Sequence, residues 1–344
     1  MYKRFYNLQR NPFEITPDPS FLFSTKRHNE ALAALYYGVR RRKGFVVMTG
    51  EVGTGKTLLV RCLLQLLSRS NVTYAYVFNP RLTPIDFLQY VAGDFRLPTA
   101  GKTKSDFLLD LSSFVIARHQ KGLTTVLVVD EAHHLPIEVL EEIRLLTNLE
   151  TSQEKLLQIL LVGQPELDEK LDSVDLRQLK QRIALRSHLT PLDINEAKGY
   201  IHRRLQLAGS ANPGMLFPDD TILEIHRCSG GIARLINTLC ENALIQGYAR
   251  QTHAITPEMI EDIAADFRMN VMHPPSGGVV SGRAGGEGHA TEVQRAAKTL
   301  LDLYTYMRRI QSNETDLNAD LNADLNNDLN DALGTGVRKH EPYI

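Results

Sequence analysis

Apolar residues along the chain alternate between two periods. Over 28–42 they fall at Leu32, Leu35, Tyr36 and Val39, the spacing of one helix face. Short unbroken runs follow at 45–49, 73–78, 124–129 and 156–162. The last two are rich in Val, Ile and Leu and read as buried parallel strands, 45–49 reads as a short apolar strand, and 73–78 reads as a strand that alternates or is fully buried. Between them the spacing predicts helices over 57–67, 83–95, 103–119 and 137–149, and Asn79-Pro80 signals a turn. Strands alternating with helices predict an α/β fold, a parallel sheet flanked by helices.

The pattern changes after Pro191. Residues 193–208, 219–228, 231–249 and 257–268 all carry helical spacing. Asp193 can cap the first, Gly230-Gly231 separates two of them, and Thr256-Pro257-Glu258 places Pro at N1 and an acid in the first turn of the last. The expected organisation is an N-terminal segment and α/β core over 1–191 and a small all-helical lid domain over 192–270. A Pro/Gly-rich linker over 271–290 and a tail over 291–344 complete it. The tail begins with an amphipathic helix presenting Leu300, Leu303, Tyr304, Met307 and Ile310, then runs into a low-complexity DLNA repeat. The aromatic-rich residues 1–27 read as an ordered loop packed on a domain.

Composition narrows the class without naming it. The chain has 344 residues, 43% hydrophobic and 23% charged, as in a soluble globular protein. With 39 Lys and Arg against 40 Asp and Glu, no overall charge excess points to nucleic acid or an anionic membrane. Cys62, Cys228 and Cys240 form no C-x-x-C pair and read as buried thiols. The N-terminus has no apolar signal region, and no stretch reaches the ~18 apolar residues of a membrane span. A cytoplasmic protein is expected, with peripheral attachment at an inner membrane as the variant.

The chemistry starts at GEVGTGKT. Gly50-x-x-x-x-Gly55-Lys56-Thr57 is the phosphate-loop pattern, set between a predicted strand and a predicted helix. Loop N–H groups of Gly50, Glu51, Val52, Gly53, Thr54, Gly55 and Leu58 and the helix N-terminus suit phosphate oxygens. Lys56 suits the β- and γ-phosphates of ATP, and the Thr57 hydroxyl suits Mg²⁺. A second motif, Val-Leu-Val-Val-Asp130-Glu131, ends an apolar strand in two acids. Asp130 is a candidate metal ligand and Glu131 a candidate base for the attacking water. Gln164, after the strand at 156–162, can reach a γ-phosphate or that water at the carboxyl edge of the sheet. Asp130-Glu131-Ala132-His133 is a DEAH tetrad, but the residues after the sheet read as helices and tail and not as the second motor domain a helicase of that type needs. His133 and His134 are expected to diverge, as neighbours do, and not to share a metal. Arg177, Arg182 and Arg186 precede Pro191, and Arg234 opens a helix beyond it. Either group can supply a cation to the phosphates.

With these residues in place the sequence resembles AAA+ ATPases. It is similar in particular to the general secretion pathway protein A (ExeA/GspA) family, which is related to transposition-regulator ATPases. MYKRFYNLQRNPFEITPDPSFLF, HNEALAALYYGV, GFVVMTGEVGTGKT, VLVVDEAHHL, EEIRLLTNLET and ILLVGQPEL carry the resemblance, over residues 1 to about 270. It implies Lys56 and Thr57 as Walker A, Asp130 and Glu131 as Walker B, Gln164 as sensor 1, Arg182 as arginine finger and Arg234 as sensor 2. Arg177 and Arg186 stay open as alternatives for the finger. It also implies a homo-oligomer with nucleotide between subunits, driving assembly or regulation of a partner complex in secretion or pilus formation. Members of that family continue into a membrane span and a peptidoglycan-binding region. Here the linker, helix and repeat stand instead, which suggests docking on a protein partner through the tail. Two other readings stand beside this one. A DNA-binding transposition-type regulator would use the basic run Arg40-Arg41-Arg42-Lys43, and a nucleotide switch would turn over little.

Overall fold

The computed structural model describes residues 1–14, 21, 23–68, 71–78 and 81–269. The Asn79-Pro80 turn, the linker, the tail helix and the DLNA repeat lie outside the described residues. In chain order the first part comprises α1 (Tyr2–Phe5), α2 (Lys26–Arg40), β1 (Phe45–Gly50), α3 (Lys56–Ser68), β2 (Val72–Val77), α4 (Pro84–Asp94) and α5 (Lys104–Gln120). Then come β3 (Thr124–Val129), a 3₁₀ turn (Ala132–His134), α6 (Ile137–Leu146), β4 (Leu157–Gly163), α7 (Glu166–Leu171), α8 (Arg177–Lys180) and β5 (Leu185–Leu189). The strands form one sheet in the order β2-β3-β4-β1-β5, every pairing parallel.

The register explains why the two motifs meet. β4 lies between β1 and β3, with Val47 opposite Leu161 and Val128 opposite Leu160. The carboxyl ends of all three strands therefore open on one edge. Residues 50–57, Asp130-Glu131 and Gln164 each leave the sheet there. β1 and β4 are buried along their whole length, as runs covered on both faces must be. β5 escapes the apolar pattern because it is an edge strand. Leu185, Ser187 and Leu189 alternate with exposed Arg186 and His188, so its sequence reads as polar.

Beyond Pro191 lie α9 (Ile194–Leu207), α10 (Pro213–Leu216), α11 (Asp219–Ser229), α12 (Ala233–Ala249) and α13 (Pro257–Asp266). Asp193 and Glu196 cap α9 reciprocally. These helices bury a second apolar cluster, to which Tyr6, Leu8 and Phe13 also belong. Phe13 is fully buried edge-on to Phe217 at 5.9 Å. The Gln9 N–H donates to the Ala208 carbonyl at 2.7 Å, and Arg204 donates to the Pro12 carbonyl at 2.8 Å. Residues 1–14 thus pack on these helices. All three cysteines are buried. No helix among the described residues is long and apolar enough to cross a membrane.

Candidate nucleotide site

The loop between β1 and α3 is shaped by two glycines with positive φ, Gly53 at 82° and Gly55 at 98°. At Gly53 a side chain is also excluded sterically, since a Cβ would lie 2.7 Å from that of Arg234. Lys56 Nζ donates to the Gly50 carbonyl at 2.7 Å and the Glu51 carbonyl at 2.9 Å, and the residue is only 5% exposed. Burial lowers its pKa, while the Glu131 and Asp130 carboxylates pull it back up. A buried ammonium whose hydrogen-bond partners are neutral carbonyls is a fit for an anion.

Opposite it, Asp130 is almost fully buried at the end of β3. Its Oδ2 accepts from the Thr57 hydroxyl at 2.9 Å and from the Tyr76 hydroxyl at 2.8 Å, and its Oδ1 accepts from the Glu131 N–H at 2.9 Å. Thr57 and Asp130 bring hard oxygen atoms together, the donor set that magnesium takes. Glu131 adopts the left-handed region, φ 52° and ψ 35°, uncommon for a non-glycine residue. Its Oε2 lies 3.5 Å from Gln164 Nε2 and 3.5 Å from His133 Nδ1. Lys170 fixes the turn beneath by donating to the His133 and Leu135 carbonyls. Burial holds His133 below the usual histidine pKa, with His134 acting in the same direction. The expectation that His133 and His134 diverge is corrected. The tight 3₁₀ turn after Glu131 brings their ring centroids to 3.9 Å.

A cavity of about 430 Å³ opens between this edge and the helices that follow Pro191. Val52, Gly53, Thr54, Gly55, Lys56, Thr57 and Leu58 line it, together with Glu131. Arg234 stands over the loop, its backbone N–H donating to the Gly53 carbonyl at 3.3 Å. Phe21, Phe23, Leu192 and Tyr200 add apolar surface to its lining. Of the sequence-predicted residues, the loop, Asp130, Glu131, Gln164 and Arg234 come together. Gly50 and Glu51 take part through their carbonyls. The other arginines do not join them. Arg182 donates to Thr147 Oγ1 at 3.0 Å, Arg186 pairs with Asp168 at 3.1 Å and Arg177 is exposed at the start of α8.

His28 and Tyr76 carry no role in the sequence reading. His28 is buried, with Nδ1 2.7 Å from Thr25 Oγ1 and Nε2 3.0 Å from the Thr54 carbonyl. It ties α2 to the phosphate loop. In the sequence it opens the HNEALAALYYGV run, in the first turn of an apolar-faced helix.

Known proteins resemble this chain in sequence and in fold. Residues 39–171 match the AAA domain family. General secretion pathway protein A of Aeromonas hydrophila is 47% identical over 256 residues, 74% of this chain. The match covers 46% of that protein, so the chain spans about half the length of this relative. Among solved structures, ORC2 of Aeropyrum pernix in its ADPNP–ADP complexes superposes with a TM-score of 0.56 at 17% identity, covering 75% of this chain and 72% of that one. Drosophila ORC bound to DNA gives 0.57 at 19% identity, covering 78% and 66%. At such identities the likeness speaks for the fold alone. The chain belongs to the AAA+ proteins, in the family of general secretion pathway protein A.

Proposed function

We propose that this chain is a magnesium-dependent ATP hydrolase that works as an oligomer and drives assembly or regulation of a partner complex in secretion. One observation carries the reading: Lys56, Thr57, Asp130 and Glu131 converge where the cavity meets the open edge of the sheet. Lys56 would leave its two carbonyls for the β- and γ-phosphate oxygens, and the loop N–H groups would take the remainder. Thr57 and Asp130 would hold magnesium, which neutralises charge on those oxygens. Glu131 would orient water and take its proton, steadied by Gln164. Arg234 would report the phosphates to the helical domain that carries it. Arg182 stands outside its own chain's cavity, so a catalytic role for it requires a neighbour's nucleotide. The secretion role follows the relative's name and is part of the proposal.

The basic run after α2 gives the DNA-binding alternative little support. Arg42 pairs with Glu154 at 2.7 Å, and Arg40 and Lys43 lie over the Tyr36 and Tyr37 rings. Phosphate release with ATP and magnesium tests the main reading. Wild-type turnover is expected to fall about 10²–10⁴-fold in Glu131→Gln, the usual worth of a positioned base, with ATP binding retained. Undiminished turnover in that variant would overturn the role of Glu131.

A further inference from the structure

Tyr76 lies on β2, the outermost strand, opposite Val128 and so beside the end of β3. Its backbone N–H is one that an edge strand leaves without a strand partner, and Asp94 accepts it at 2.5 Å. The backbone is therefore pinned before the side chain is considered. The hydroxyl then donates to Asp130 Oδ2, the oxygen that also receives the Thr57 hydroxyl. With the Glu131 N–H on Oδ1, three donors fix the carboxylate in its plane. Only one of them, the phenol, comes from outside the two phosphate-loop motifs.

We propose that Tyr76 is a positioning residue for magnesium, aiming the Asp130 carboxylate at the site it shares with Thr57. The inference rests on the reading of this cavity as a magnesium–nucleotide site. Magnesium demands near-ideal octahedral geometry, so a ligand free to turn is a poor one. Groups that hydrogen-bond to metal ligands typically change metal affinity by about 10–100-fold when removed. Because Thr57 and the Glu131 N–H remain, the lower end of that range is expected.

The test compares wild type with Tyr76→Phe in equilibrium titrations of a fluorescent ATP analogue, in EDTA and across a magnesium series. In EDTA the two are expected to bind within about twofold of each other. The factor by which magnesium tightens binding is expected to fall about tenfold in the variant. A purely structural role would weaken both conditions alike, and that result overturns the inference. So does wild-type magnesium dependence in Tyr76→Phe. Wild-type protein that binds in neither condition overturns the site reading, and this inference with it. Fluorotyrosine placed at position 76 supplies a second readout that does not depend on the variant folding. Its fluorine resonance is expected to move when magnesium is added to the nucleotide complex, and a resonance that stays still contradicts the proposal.

Discussion

His28 shows what a single residue does beyond the motifs. Thr25 Oγ1 accepts the His28 backbone N–H at 3.2 Å and turns its own hydrogen to Nδ1, leaving Nε2–H to donate to the Thr54 carbonyl. That arrangement needs a neutral ring, and burial holds its pKa below 6.5. The unfolded chain therefore binds the proton more readily. Stability from this site is complete above pH 6.5 and is lost as pH falls from there through the folded pKa. The melting temperature is expected to drop between about pH 7.5 and 5.5, and less so in His28→Gln. An equal drop in both would contradict the clamp. His133 and His202 are also depressed by burial and add a slope of the same sign. The convergence of Lys56, Thr57, Asp130 and Glu131 was legible in the sequence because each sits within a few residues of a recognisable strand end. His28 and Tyr76 were not, because their partners are brought close only by tertiary packing and by cross-strand register.

At the level of elements, the α/β alternation and the helices after Pro191 were legible from periodicity. The fifth strand was not, since an edge strand with one face in water carries few apolar residues. Nor could periodicity say which surface the N-terminal aromatics cover, because Phe13 finds Phe217 only after the helices have assembled. The start of α12 packs directly against the phosphate loop. Gly53 there has positive φ, and an added Cβ would meet Arg234 Cβ at 2.7 Å and Ile232 Cγ2 at 2.9 Å. Gly53→Ala is expected to lose about 1–3 kcal/mol of stability in urea unfolding, the usual range for strained backbone. It should also bind nucleotide more weakly, as the helix is pushed off the loop. Unchanged stability together with unchanged affinity would show that this junction is open in solution.

For the molecule as a whole, Arg182 rests against Thr147, outside its own cavity, and in the proposed oligomer it would serve a neighbour's nucleotide. Arg182→Ala is expected to bind ATP yet turn over slowly. Mixing it with Lys56→Ala should restore part of the rate, because each chain supplies what the other lacks. No recovery in the mixture would argue against an arginine acting between subunits. All of this depends on a triphosphate lying between the phosphate loop and the end of β3. Titration calorimetry of ATP into the folded full chain, with magnesium present, measures that most directly. The expected result is saturable heat at one site per chain, with affinity reduced at least about a hundredfold in Lys56→Ala. No heat in the wild type, or the same affinity in both proteins, would contradict the account.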